Sequence, residues 1–274
     1  MNLLMYIIAF TALGGVLSVL AASLFLLLSE QTQHKLLPHG ISFATGALLT
    51  GAFCGLLPHA FTEVTAAEVP ALSATILAGI LLFFVLEKLL IWRHCHAHDC
   101  SAHGEDAHHL QPHQPKVNSA KPKPAGMFII AGDSMHNFVD GVLIAAAFFT
   151  DPQLGVVTSL AVAAHEIPQE VGDFAILLHS GYSRKKALIY NVLSSLATVV
   201  GGVLAYFSFS HIQQTLPYFL CVAASSFIYI AVADLIPTLH QKTDLKTSLQ
   251  QIAWIAAGVV LIVSMQRWAH SFMP

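Results

Sequence analysis

The stretch AAHEIPQEVGDFAILL, residues 163–178, lies in an apolar run long enough to cross a bilayer. It nevertheless holds His165, Glu166, Glu170 and Asp173, with Pro168 among them. Ionisable side chains at bilayer depth are costly, and by default they mark a pathway or a site. The rest of the chain has the same apolar character. Of its 274 residues, 55% are hydrophobic and 10% charged, and the mean hydropathy is +0.68. Soluble domains carry about 25% charged residues, so the deficit predicts an integral membrane protein with no separate soluble domain. A net charge of −3 gives no ground for a nucleic-acid partner.

A helix needs about 20 mostly apolar residues to cross the hydrocarbon core. Eight segments qualify: 3–28, 40–61, 71–92, 126–149, 153–179, 185–208, 212–237 and 250–271. Because only helices satisfy their backbone within such runs, the predicted fold is an all-α bundle of eight transmembrane helices, a single transmembrane domain. With both termini outside, the inner connections hold Lys35, Lys88, Arg93, Lys116, Lys121, Lys123, Arg184, Lys185, Lys186, Lys242 and Lys246. That is eleven of the twelve Lys and Arg, only Arg267 lying near the outer face. This bias predicts an N-out, C-out topology. MNLLMYIIAF lacks a basic start, so no cleavable signal peptide is expected. Two cysteines in apolar runs and two in a loop indicate no disulfide framework.

The one long connection, 93–124, is cytosolic in this topology. It carries His94, His96, His98, His103, His108, His109 and His113, seven of the sixteen histidines, followed by a Pro/Lys tract. Such a composition cannot build a core and predicts disorder, and His-rich tracts bind metal loosely.

The intramembrane polar residues concentrate in two consecutive spans. In the fourth, GMFIIAGDSMHNFVDGVLIAAAFF, Asp133, His136 and Asp140 share one helical face, and Asn137 flanks them. In the fifth, His165 pairs with Gln169 and Glu166 with Glu170 at four-residue spacing, and Asp173 follows one turn on. Pro168 has no N–H and is expected to kink this helix and free a carbonyl. Gly132, Gly141 and Gly172 are expected to let helices approach around the cluster. Two imidazoles with several carboxylates and amides suit a divalent transition metal of borderline softness. They exceed the ligands of one structural zinc, which suggests two adjacent metal positions or a relay. HEIPQ also partly matches HExxH, so a membrane-embedded zinc hydrolase is the alternative. That motif needs a second His on the same face, where this chain has Gln169. A cation channel and a purely structural polar cluster are the remaining readings.

GDSMHNFVDG followed by HEIPQEVGDFAILL resembles the paired signatures of the ZIP (Zrt/Irt-like) metal-ion transporter family. The similarity is greatest to the branch with HNxxD and HExPHExGD. LLPHAFTE in the second span and YIAVADLIPTL in the seventh are similar to that branch too. The resemblance covers the whole chain and implies a secondary importer without ATP use, carrying Zn²⁺ or, alternatively, Fe²⁺ or Mn²⁺, with no organic cofactor. It implies that His136, Asn137, Asp140, His165, Glu166 and Glu170 are metal ligands, Asp140 and Glu166 bridging two metals. Gln169 stands where the branch has His. Asp133 and Asp173 match motif positions, and His59 and Asp234 match pathway positions. It further implies a homodimer and an elevator-like movement. The short outer loops point to a bacterial plasma membrane.

Overall fold

The computed structural model describes residues 2–62, 64–95, 124–209, 213–241 and 244–272. Among them there is no strand, and eight long helices follow one another. They are α1 (Leu3–Phe25), α2 (30–62), α3 (Val69–Cys95), α4 (Pro124–Thr150), α5 (Pro152–His179), α6 (Arg184–Phe209), α7 (Leu216–Leu239) and α8 (Leu245–Phe272). Each predicted span coincides with one of these helices. Six are by themselves long and apolar enough to cross a membrane; the other two, α4 and α5, carry the ionisable cluster. The protein is an all-α integral membrane protein. Its outward faces are apolar, as at Leu77, Leu81 and Leu82 of α3 and Val260 and Leu261 of α8, surface that suits lipid rather than water.

Local sequence sets the helix ends. Asp151 caps α5, its Oδ1 accepting from the N–H groups of Gln153 (2.7 Å) and Leu154 (3.0 Å). Pro152 at the first helical position needs no N–H partner there. At the other end Gly181 adopts φ +89°, a conformation open to glycine without steric cost. The Gly181 N–H donates to the Leu178 carbonyl and the Tyr182 N–H to that of Leu177, which closes the helix as a Schellman motif. On the α2–α3 connection the exposed Glu68 carboxylate accepts from the Thr65 N–H and hydroxyl. These bonds hold it below the usual carboxylate range.

The prolines are accommodated in two ways. α5 continues as α-helix through Pro168, losing only the bond that residue 168 cannot donate to the Ala164 carbonyl. Widened π-turns occur instead at Leu13–Leu17, Gly51–Leu56 and Ile230–Leu235. The last two directly precede Leu57-Pro58 and Ile236-Pro237. A widened turn accommodates the proline ring that would collide with the carbonyl four residues back.

Two groups of helices pack internally: α1, α4, α5 and α6 in one, α2, α3, α7 and α8 in the other. They meet chiefly where α2 and α8 lie along α5 and α7 along α4. The tightest seams depend on glycine. A Cβ on Gly141 would meet the Thr198 carbonyl and the Gly202 nitrogen, and one on Gly201 the Phe138 carbonyl, so α4 and α6 touch backbone to backbone. Gly258 does the same for α8 against Phe43 and Ala47 of α2. This is the small-residue packing expected where lipid supplies no hydrophobic drive. Gly172, by contrast, meets no neighbouring atom and creates no close approach, because it faces outward on α5.

Candidate metal centre

His136 and Asp140, one turn apart on α4, face His165 and Glu166 of α5. His136 Nε2 lies 3.4 Å from Glu166 Oε1, 3.7 Å from Asp140 Oδ2 and 3.3 Å from His165 Nε2. His165 Nε2 lies 3.3 Å from Asp140 Oδ2 and 3.5 Å from Glu166 Oε1. Four potential donor atoms thus converge within 4.8 Å of one another, a spread that a central cation could draw together. His165 Nδ1 is 3.2 Å from the Ala161 carbonyl. The carbonyl can only accept, so the proton sits on Nδ1 and the Nε2 lone pair is directed into the cluster. The His165 ring also lies edge-on to Phe227, so α7 closes that side.

A second group joins the first through Glu166. Asp133, Glu166 and Glu170 also bring ligand atoms within 4.8 Å of one another. All three are buried, and neither carboxylate oxygen of Asp140, Glu166 or Glu170 makes a well-formed hydrogen bond, the imidazole nitrogens of His136 and His165 standing 3.3 to 3.7 Å from Asp140 and Glu166. Buried carboxylates without donors or cations are costly by several kcal/mol each. The arrangement is therefore that of a site that binds positive charge.

Of the residues singled out in the sequence, Asp133, His136, Asp140, His165, Glu166 and Glu170 come together. Asn137 is buried beside them. Its Nδ2 donates to Asp133 Oδ1 (2.9 Å) and its Oδ1 accepts from Thr198 Oγ1 (2.7 Å), which leaves one amide-oxygen lone pair for a metal. Gln169 and Asp173 are half-buried, and Asp173 belongs to neither group. His59 Nδ1 donates to the Gly55 carbonyl (2.9 Å). It lines a cavity of about 210 Å³ together with Cys54, Gln153, Gln266 and Arg267. Leu154 of that cavity is about three turns, roughly 16 Å, from His165 along α5, so His59 is remote from the cluster. Asp234 is exposed, in the π-turn of α7. His94 falls in the last turns of α3, while His96, His98, His103, His108, His109 and His113 lie outside the described residues.

The sequence reading missed α6. Asn191, Ser194 and Thr198 are buried on one face of that helix, and Ser194 donates to Asp133 Oδ2. Their three- and four-residue spacing in NVLSSLAT was the available signal.

The family model described as ZIP zinc transporter matches residues 1–266. The chain belongs to the ZIP family. Among curated proteins this ZIP chain is 30% identical over 235 residues to "Zinc transporter ZIP13" of Pongo abelii, covering 81% of the chain and 65% of that protein. It is 37% identical over 167 residues to "Zinc transporter foi" of Drosophila melanogaster (61% and 23%). To "Zinc transporter ZIP4" of Homo sapiens it is 30% identical over 259 residues (77% and 40%). The chain thus spans less than two thirds of the length of each. The family is one of transporters, not enzymes, and with it the hydrolase reading of HEIPQ is set aside.

Proposed function

We propose that this ZIP chain is a secondary transporter that moves a divalent transition metal, Zn²⁺ first among them, into the cytosol. The observation that carries the reading is the convergence of His136, Asp140, His165 and Glu166 at mid-helix, with carboxylate oxygens that no protein group satisfies. The names of the relatives support zinc. The mixed imidazole and carboxylate donors suit it as well, with Fe²⁺ and Mn²⁺ the nearest alternatives. In this reading Asn137 and Glu170 complete the ligand set, and Asp140 and Glu166 bridge two metals. Asp133 belongs to the second position, and Gln169 and Asp173 flank the path. His59 stands on the outer side and Asp234 on the inner side of the route, and the loop histidines from His94 to His113 buffer metal.

All eight helices cross the membrane in a single domain with both termini outside, as the distribution of Lys and Arg supports. The signatures GDSMHNFVDG and HEIPQEVGDFAILL support a kinship closest to the HNxxD/HExPHExGD branch. The partners are the metal ion, the bilayer and a second copy of the chain. The bacterial plasma-membrane assignment rests on the short outer loops alone; the relatives named above are animal proteins. Metal enters the cluster as its water is replaced by His and carboxylate ligands. It leaves inward when α1, α4, α5 and α6 slide past α2, α3, α7 and α8, a division that the packing supports. No step draws on ATP.

His136→Ala and Glu166→Ala, reconstituted into vesicles, are expected to lose most Zn²⁺ uptake while the protein still inserts and purifies. Wild-type uptake in both variants would sink the assignment.

A further inference from the structure

The four polar side chains of NVLSSLAT are buried, with relative exposures from 0 to 4%. Ser195 is satisfied within its own helix, its hydroxyl donating to the Val192 carbonyl at 3.1 Å. The other three reach across to neighbouring helices. Asn191 Nδ2 donates to the Glu170 carbonyl of α5 at 3.3 Å. Ser194 and Thr198 donate to α4, at Asp133 Oδ2 and Asn137 Oδ1. With the bond from Asn137 Nδ2 to Asp133 Oδ1, a chain of hydrogen bonds runs Thr198–Asn137–Asp133–Ser194 and begins and ends on α6.

This sets Asp133 apart from the other carboxylates of the centre. Each of its oxygens accepts one hydrogen bond and keeps a lone pair, whereas Asp140, Glu166 and Glu170 receive none from the protein. Asp133 is therefore fixed in place before any metal arrives. The group it shares with Glu166 and Glu170 is all-oxygen, while the neighbouring group has two imidazoles. Carboxylate sites favour harder cations such as Mn²⁺, and imidazoles favour Zn²⁺.

We infer that Ser194 and Thr198 are positioning residues that determine specificity. By immobilising Asp133 they set how tightly the all-carboxylate position holds a hard divalent cation, with a smaller effect on the His-containing position that shares Glu166. The inference rests on reading the cluster as a metal centre. Groups that orient ligands in this way are worth about 10- to 100-fold in metal affinity.

The test is equilibrium binding of Mn²⁺ and, separately, Zn²⁺ to the purified full chain in detergent, for Ser194→Ala, Thr198→Val and Thr198→Ser. Expected is a loss of about 10-fold or more in Mn²⁺ affinity for Ser194→Ala and Thr198→Val. The loss in Zn²⁺ affinity should be clearly smaller. Thr198→Ser, which keeps the hydroxyl, should bind Mn²⁺ like wild type. The inference is overturned if both hydroxyl-free variants bind Mn²⁺ as wild type does. It is equally overturned if Thr198→Ser is as impaired as Thr198→Val, since packing alone would then account for the effect. His136→Ala separates this inference from its premise. Retention of full Zn²⁺ affinity there removes the metal centre itself. Loss there, with Ser194 and Thr198 variants unchanged, removes only the role of α6.

Discussion

At the scale of single residues, the centre trades stability for affinity. Asp140 is fully buried and makes no well-formed hydrogen bond through either oxygen; with only the imidazoles of His165 and His136 nearby, at 3.3 and 3.7 Å, its charge is left for a cation in the site to complete. Asp140→Asn removes that charge at nearly constant volume. In chelator-treated protein it is therefore expected to raise the thermal unfolding midpoint, because an uncompensated buried charge costs several kcal/mol. The same change should weaken Zn²⁺ binding and shrink the stabilisation that added Zn²⁺ confers, which for wild type is about 2.7 kcal/mol at 100-fold excess over Kd. Thermal scans with and without metal read both effects. A metal-free midpoint lower than that of wild type would contradict the account. The residues of this trade-off were legible in sequence, because His136, Asp140, His165, Glu166 and Glu170 are ionisable groups in apolar surroundings and so stand out. Ser194 and Thr198 were not, since hydroxyls are common in membrane helices and usually bond back to their own backbone, as Ser42, Thr45 and Ser159 do here.

At the scale of elements, the centre depends on how closely α4 and α6 approach. Gly141, Gly201 and Gly202 bring the two backbones into contact, and this closeness lets the short Thr198 side chain reach Asn137. Gly201→Val would place methyl groups where the Phe138 carbonyl now lies. Overpacking of this kind costs typically 1–3 kcal/mol. The variant is expected to unfold at lower temperature and to lose Mn²⁺ affinity in parallel with Thr198→Val, because the same seam carries both properties. An unchanged melting point with normal binding would show that the seam yields without cost. The order and number of the long helices followed from the apolar runs, but their ends did not: the second helix begins at residue 30, ten residues before the expected 40, because its first turns are polar. The prolines were harder to read. Pro58, Pro168 and Pro237 are alike in sequence, but a π-turn lies before the first and last and none before the second.

For the whole molecule, charge placement and helix packing make separate claims that one experiment can join. The proposed topology has the α5–α6 connection, with Arg184, Lys185 and Lys186, on the inner side, and the α2–α3 connection, which lacks Lys and Arg, on the outer side. The order of the helices agrees with this: the short turn at Asp151 puts α4 and α5 antiparallel, so the His59 cavity near Leu154 and the Arg184 cluster lie at opposite ends of the bundle. Metal moving from the first end to the second would pass the cluster of His136 and His165 on the way. In a background with the four native cysteines replaced by serine, Ala66→Cys should react with a membrane-impermeant maleimide in right-side-out vesicles. Ser183→Cys should react only once the vesicles are inverted or permeabilised. Reaction of both from one side would require an even number of crossings between them, where α3, α4 and α5 make three, and would contradict the eight-span topology. If the two labels fall on opposite sides as expected, Zn²⁺ loaded on the Ala66 side should appear on the Ser183 side. Accumulation in the reverse direction would make the protein an exporter built on the same centre.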